Sequence, residues 1–204
     1  MRKFLIILFS FIAFNSNAQF EIGLNAGASF NGTNKSNENF YHFGNYTSFY
    51  PEINAGYSFD KNWSINWGIG FSSKGYKIIP ADSEPGEPDS YSKFRYFSIP
   101  LSISYRYPVN SFYGKLSIGL QPNFYTGQSA PARYEEDFQQ MNHTIGLLIG
   151  AEIGYSLCDN LNIHLGYRYN PDFNYADKLE RQGKLRSNYL LVGISYIMAS
   201  KAEK

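Results

Sequence analysis

Apolar and small polar residues alternate along most of the chain from residue 19 onward. The alternation is sustained over eight segments, at 20–30, 49–59, 63–73, 96–107, 112–125, 144–157, 161–169 and 188–197. Successive side chains of a β-strand point to opposite faces, so a period of two residues indicates strands with one apolar and one polar face. The sequence therefore predicts eight β-strands.

Short and long connections alternate between these predicted strands. Tight turns rich in Asp, Asn and Pro lie at 60–62, 108–111 and 158–160. Long polar connections lie between them, at 31–48, 74–95, 126–143 and 170–187. This order is typical of an up-and-down barrel in which short turns close one rim and long loops extend from the other. Both chain ends are then expected on the side of the short turns.

The residue types on the two faces indicate where the apolar side chains point. A soluble lipocalin-like barrel or a β-sandwich would hide the apolar face and expose a charged face to water. The polar face instead carries small residues, as in the third segment with Ser64, Asn66, Gly68, Gly70 and Ser72, and the apolar face carries no charge. Small residues fit the narrow lumen of an eight-stranded barrel, whereas an uncharged apolar face suits lipid.

Aromatic residues support the same interpretation, because they gather toward the ends of the predicted strands. Trp63, Tyr107 and Tyr169 are examples, while Ile, Leu, Val and Ala occupy the strand centres. Such banding is typical of the two aromatic girdles of a membrane protein. The predicted fold class is all-β, an eight-stranded antiparallel up-and-down transmembrane β-barrel.

Four residues depart from the simple pattern. Proline lacks the amide hydrogen of a ladder bond, and a closed barrel has no free edge, so Pro100 and Pro122 are expected to form local bulges. Leu148 and Leu191 fall on the otherwise polar inward face.

The first eighteen residues resemble a cleaved export signal. Arg2 and Lys3 precede an apolar stretch at 4–14, and Ser16-Asn17-Ala18 offers small residues for a peptidase. The stretch is about half the length that a spanning helix requires. The expected organisation is a signal peptide at 1–18 followed by a single barrel domain at 19–204.

Overall composition changes this picture little. A mean hydropathy of −0.36 is compatible with a membrane barrel, in which only alternate residues meet lipid. The net charge of +1 gives no reason to expect nucleic acid as a partner. The single cysteine, Cys158, cannot form an internal disulfide and is expected as a free thiol in a turn.

Six charged residues are predicted to face the lumen, three acidic and three basic. They are Glu21, Glu52, Arg106, Lys115, Glu152 and Arg168. Unpaired charges inside low-dielectric walls are costly, so these side chains are expected to pair in a structural network that fills the lumen. A gated or proton-conducting path is the alternative role.

No motif for catalysis, a metal or a cofactor stands out, so we expect no catalytic residues, no metal and no cofactor. His164 is expected as a hydrogen-bonded lumen residue, and His42 and His143 fall in separate connections without clustered ligands. Ser and Asp are common, so a lipid-modifying site at the rim has only weak support.

Three segments carry a resemblance to a known family: the export segment ending at Ser16 to Gln19, the opening strand Glu21 to Gly27, and the closing strand Tyr189 to Tyr196. Together with eight strands, they make the whole chain resemble the PorT-like outer-membrane β-barrel proteins, and it is similar in plan to OmpA-type and OmpX-type small barrels. The closing strand looks like the insertion signal read by barrel-assembly machinery, although residues 197–204 trail beyond it.

The resemblance implies a place in the outer membrane of a Gram-negative bacterium, with both termini in the periplasm. Expected partners are outer-membrane lipid, the barrel-assembly machinery during insertion and envelope or secretion-system proteins, since PorT itself belongs to a secretion system. The sequence favours a non-enzymatic barrel whose four long extracellular loops contact surfaces or partner proteins. The alternatives are a subunit of a secretion or envelope-assembly complex, a rim enzyme that modifies lipid, and a narrow channel.

Overall fold

Ten antiparallel strands, joined in one sheet, make up most of the described chain. The computed structural model describes residues 19–33, 41–80, 90–129, 143–174 and 184–198. The strands are β1 (Gln19–Thr33), β2 (Tyr41–Gly44), β3 (Tyr46–Ser58), β4 (Trp63–Pro80), β5 (Ser90–Ser98), β6 (Leu101–Val109), β7 (Phe112–Ser129), β8 (Thr144–Cys158), β9 (Leu161–Pro171) and β10 (Leu185–Met198). Among these residues no helix is long and apolar enough to cross a membrane. The predicted signal peptide and the trailing residues 199–204 lie outside the described residues.

The sheet closes on itself because β1 pairs with β10 as well as with β3. β2 and β3 both pair with β4, and β5 and β6 both pair with β4 and β7, so each of these two pairs of strands occupies one position in the wall. The wall therefore has eight strand positions in sequence order, which confirms the predicted eight-stranded up-and-down barrel.

The strand pairing fixes how far the barrel is sheared. A path that starts at Phe20 of β1 and steps from each residue to its paired neighbour goes once around the wall and returns to β1 at Phe30, ten residues further along. It passes through Tyr57, Ile65, Ile103, Ile118, Ile149, Tyr169 and Asn188. A stagger of this kind requires the strands to tilt from the barrel axis. The tilt lets side chains from strands that are not neighbours meet across the lumen.

The two faces of the wall differ as the alternation predicts. Ile118 and Ile153 on the outer face are 61% and 69% exposed, whereas Gln121 and Ser98 on the inner face are fully buried. Leu148 and Leu191 are buried inside, as expected. The predicted registers of the eight segments are thus confirmed.

The strands extend further than predicted at the rim opposite the short turns. β4 continues to Pro80, β7 continues to Ser129, and β5 begins at Ser90, so the predicted connections 31–48, 74–95, 126–143 and 170–187 are too long. Alternation between apolar and polar residues fades there, because a strand beyond the hydrocarbon region no longer needs an apolar outer face. Sequence pattern alone therefore ended these strands too early.

The expected bulges at Pro100 and Pro122 are absent from this described part of the wall. The register between β4 and β5 continues unchanged into β6, and Pro122 pairs in register with Ile145. Each proline still accepts one bond, from Gly68 N–H to the Pro100 carbonyl at 3.0 Å and from Ile99 N–H to the Pro122 carbonyl at 2.9 Å. Each site loses only the bond that the proline nitrogen cannot donate, and no extra residue is required.

Candidate functional site: the filled lumen

Inward side chains fill the barrel at three levels along its axis. The lower level lies near the rim of the short turns, and the upper level lies near the opposite rim. Lys115 and Glu152 form the ion pair of the lower level, with Nζ and Oε1 2.9 Å apart. Tyr113 donates its hydroxyl to the same carboxylate oxygen at 3.4 Å.

Two further predicted lumen charges lie at this lower level without an acid–base pair. The Arg106 guanidinium stacks 3.6 Å from the centroid of the Tyr113 ring. Glu21 is half-buried and forms no ion pair with any residue in the described ranges. The structure therefore pairs Lys115 with Glu152, whereas Arg106 stacks on a tyrosine ring and Glu21 has no ion-pair partner among the described residues.

The middle level is built on Glu52 of β3 and Arg168 of β9. Two guanidinium nitrogens of Arg168 reach the two carboxylate oxygens of Glu52, at 2.5 and 3.1 Å. The Glu52 carboxylate also accepts the Tyr50 hydroxyl at 2.7 Å and the Asn25 amide at 2.9 Å. Such a buried charge pair is tolerated only when its remaining polar atoms are also satisfied. Here four hydrogen bonds converge on one carboxylate.

His164 lies between the lower and middle levels. Its Nε2 is 2.7 Å from Asn25 Oδ1, and its Nδ1 is 3.8 Å from Glu152 Oε1. Because the Asn25 amide nitrogen donates to Glu52, its oxygen is the acceptor, which assigns the hydrogen to Nε2 of His164. This position matches the expected hydrogen-bonded lumen histidine.

The upper level holds an ion pair that the sequence analysis missed. Lys74 Nζ lies 2.7 Å from Asp172 Oδ1 and 2.9 Å from Asn170 Oδ1, and the Lys74 and Asp172 side chains are both fully buried. Asn123 donates a further hydrogen bond to Asp172 at 3.3 Å. Both ionic residues fell in predicted long connections. The inward series Gly70, Ser72, Lys74 and Arg168, Asn170, Asp172 could have shown them.

Short polar side chains fill much of the remaining lumen. Asn31 contacts Ser29, Ser48 and Ser187 and donates to the Ser73 carbonyl at 3.1 Å. A second chain links Ser72, Ser98, Asn123 and Thr144. Each of these side chains has a hydrogen-bond partner inside the barrel, as buried polar groups require.

A cavity of about 60 Å³ remains between the lower and middle levels, lined by Asn54, Asn66, Ser102 and Ser117 among others. A water molecule needs roughly 10–15 Å³ of such space, so the cavity has room for a few waters. Above it, the Glu52–Arg168 and Lys74–Asp172 pairs cross the lumen. The arrangement suits a plugged barrel.

The other two histidines lie on the wall away from these levels. His143 Nδ1 accepts the Tyr125 N–H at 3.0 Å, and its ring packs 5.6 Å from that of Phe124. His42 pairs with Ile79 in the β2–β4 ladder, and its side chain lies outside the described residues. Within the described ranges no three His, Cys, Asp or Glu side chains are arranged to hold a metal ion.

Comparisons with known proteins agree with this architecture. The family described as "Outer membrane protein beta-barrel domain" matches residues 15–174. The barrel is similar to neisserial surface protein A, with a TM-score of 0.56, 20% identity, and coverage of 87% of this chain and 96% of that one. It is similar to OprG from Pseudomonas aeruginosa, with a TM-score of 0.56, 10% identity, and coverage of 90% and 97%. The outer membrane protein AlkL gives a TM-score of 0.53 at 14% identity, with coverage of 94% and 95%. No curated protein sequence matches the chain.

Proposed function

The chain belongs to the outer membrane protein beta-barrel domain family, and from this premise we propose that it is a non-enzymatic, non-conducting scaffold that presents its long connections at the cell surface. The short turns and both chain ends would face the periplasm. The barrel would hold the four long connections in place, and these would contact surfaces or partner proteins.

The observation that carries the proposal is the pair of buried ionic contacts crossing the lumen. Arg168 with Glu52 and Lys74 with Asp172 join strands on opposite sides of the barrel at two heights. An ion passing through would have to displace charged groups whose separation is costly. An eight-stranded barrel is also just wide enough for side chains to fill.

Planar-bilayer recording tests the non-conducting part of the proposal. The purified barrel should insert without producing conductance steps, and an open porin added afterwards to the same bilayer serves as the positive control. Reproducible steps from the wild-type barrel would overturn this part and favour the narrow channel.

The connections supply the proposed contact chemistry through their charge. The second contains Asp82, Glu84, Glu87 and Asp89, and the third contains Glu135, Glu136 and Asp137. Acidic segments of this kind attract partners of opposite charge. Four variants, each with 34–40, 81–89, 130–142 or 175–183 replaced by a Gly/Ser linker of equal length, test this role.

Cross-linking in cells followed by purification of the barrel compares these variants with the wild type. A surface partner should be lost from at least one variant that still folds, as judged by its gel mobility before and after boiling. Unchanged capture by all four would contradict the role of the connections. Stoichiometric recovery of several periplasmic and inner-membrane proteins would favour the alternative, a subunit of a PorT-like secretion or envelope-assembly complex.

The non-enzymatic part has its own measurement. Vesicles containing the barrel and outer-membrane lipids should show no change of lipid mass over time. A lipid product that disappears in a His42→Ala, His143→Ala or His164→Ala variant would establish the rim-enzyme alternative instead.

A further inference from the structure

An apolar groove crosses the outer face of the barrel wall near the short turns. It has a volume of about 590 Å³ and runs over β6, β7, β8 and β9 as far as Leu190 of β10. Tyr105, Tyr107, Leu116, Ile153 and Tyr167 form its sides. The groove belongs to the outer surface that faces hydrocarbon, and its lining also includes Lys115 and Glu152, whose ion pair lies in the lumen.

Two small residues create the groove. Gly114 and Ala151 occupy outward positions on the adjacent strands β7 and β8, where large apolar residues are the rule. Gly114 pairs with Ile153, and Ala151 pairs with Leu116, so each small residue lies directly opposite a large one. The depression therefore runs diagonally from Gly114 to Ala151 between Leu116 and Ile153.

The space at Gly114 is open. A Cβ atom placed there would meet nothing within 4 Å, in contrast to most glycines of this barrel. A void of this kind in a packed wall forfeits dispersion contacts unless something fills it. In a membrane the filling group comes from the surrounding lipid.

We propose that the groove seats one acyl chain of a bilayer phospholipid. The groove is continuous with the lipid-facing wall, and most of its lining is apolar; the polar exceptions are the tyrosines, Lys115 and Glu152. A protein helix, about 10–12 Å across with its side chains, is too wide for a depression one side chain wide. A single hydrocarbon chain matches that width. The inference goes beyond the scaffold role, since it assigns a defined lipid site to one side of the barrel.

The contacts that hold the chain are those of close packing. Burial of apolar surface provides little drive within a bilayer, where lipid is as apolar as the groove, so shape complementarity determines binding. Filling the groove with a side chain should therefore displace the lipid without harming the barrel. Gly114→Leu and Ala151→Leu each fill it. Ala26→Leu adds the same volume as Ala151→Leu to an exposed outward position on β1, outside the groove.

Native mass spectrometry of the barrel released from phosphatidylethanolamine nanodiscs tests the proposal. Gel mobility before and after boiling first establishes that each variant is folded. Under activation that strips loosely bound lipid, wild type and Ala26→Leu should retain one phospholipid. Gly114→Leu and Ala151→Leu should retain it at least about fivefold less, equivalent to about 1 kcal/mol.

Several outcomes would overturn the site. These are no retained lipid on the wild type, equal retention by all variants, equal loss in Ala26→Leu, or a wild-type dimer that the groove variants abolish. The last result would identify a second copy of the chain as the occupant. If only Ala151→Leu folds, its comparison with Ala26→Leu decides alone.

Discussion

Arg168 on β9 and Glu52 on β3 form a two-pronged ion pair across the lumen, between strands that are not neighbours in the wall. The pair ties opposite sides of the barrel together at mid-height. Its geometry is the bidentate arrangement in which arginine binds a carboxylate most strongly. It lies at the centre of a lumen lined by buried polar side chains.

The first prediction concerns loss of this arginine. Arg168→Met leaves the Glu52 carboxylate buried without its cation, which should lower the free energy of unfolding by about 3–5 kcal/mol. Arg106→Met is the matched control, because Arg106 is half-buried and stacks on Tyr113. The control should lose only about 0.5–1 kcal/mol. Urea unfolding in lipid vesicles measures both, and equal losses would show that the central pair has no special weight.

A second prediction addresses the pair that sequence analysis missed. Lys74→Met should cost about 3–5 kcal/mol, because the fully buried Asp172 side chain then loses its cation. Adding Asp172→Asn removes the stranded charge, so the double variant should be more stable than Lys74→Met alone. Lys61→Met, in an exposed turn, should stay within about 0.5 kcal/mol of wild type. A double variant less stable than Lys74→Met would contradict the buried pair.

A third prediction tests the depth profile of the outer wall. Ile118→Lys places a charge near the middle of the apolar band and should cost about 2–4 kcal/mol. Tyr107→Lys lies near the short-turn rim and should cost about 0–1 kcal/mol. Both are measured by urea unfolding in vesicles. Similar losses at the two sites would be incompatible with a hydrocarbon layer centred on Ile118.

A fourth prediction uses two glycines of the same strand. A Cβ at Gly119 would meet the backbone of Leu101 and Ser102, whereas one at Gly114 would meet nothing. Gly119→Ala should therefore cost about 1–3 kcal/mol through overpacking. Gly114→Ala should be neutral or slightly stabilising, because alanine restricts the unfolded chain. Gly114→Ala should therefore have the higher free energy of unfolding. A higher value for Gly119→Ala would show that the wall packs differently at β7.

The wall of this barrel could be predicted from sequence because its two faces meet different surroundings. Lipid excludes charge from one face, and the narrow lumen restricts the other to small residues, so positions such as Ile118 and Gly119 reveal their orientation without a structure. For Leu148 and Leu191 the residue type points the other way, and only the two-residue period of their strands predicted that they face inward.

In the upper lumen, extending the inward series could have placed Lys74 and Asp172 on the inner face, but it could not have shown that they pair. Lys74 and Asp172 lie where the strands extend past the apolar band, and there the alternation that marks a strand is lost. Which charges meet across the lumen depends on the ten-residue stagger, which no local pattern shows. The prediction of bulges at Pro100 and Pro122 was wrong because each proline keeps an accepting carbonyl and the neighbouring ladder bonds hold the register.

The most direct test of the central claim is a spin-label scan of β7 from residue 116 to residue 121 in lipid vesicles, on a Cys158→Ser background. Alternate residues should behave in opposite ways if one face meets hydrocarbon. Labels at 116, 118 and 120 should collide readily with oxygen dissolved in the bilayer and not with a water-soluble nickel reagent. Labels at 117 and 121 should be shielded from oxygen. Residue 119 is left unlabelled, because a side chain there would meet the backbone of Leu101 and Ser102. High nickel access at 116, 118 and 120, or no alternation at all, would contradict a lipid-facing apolar wall around a filled lumen.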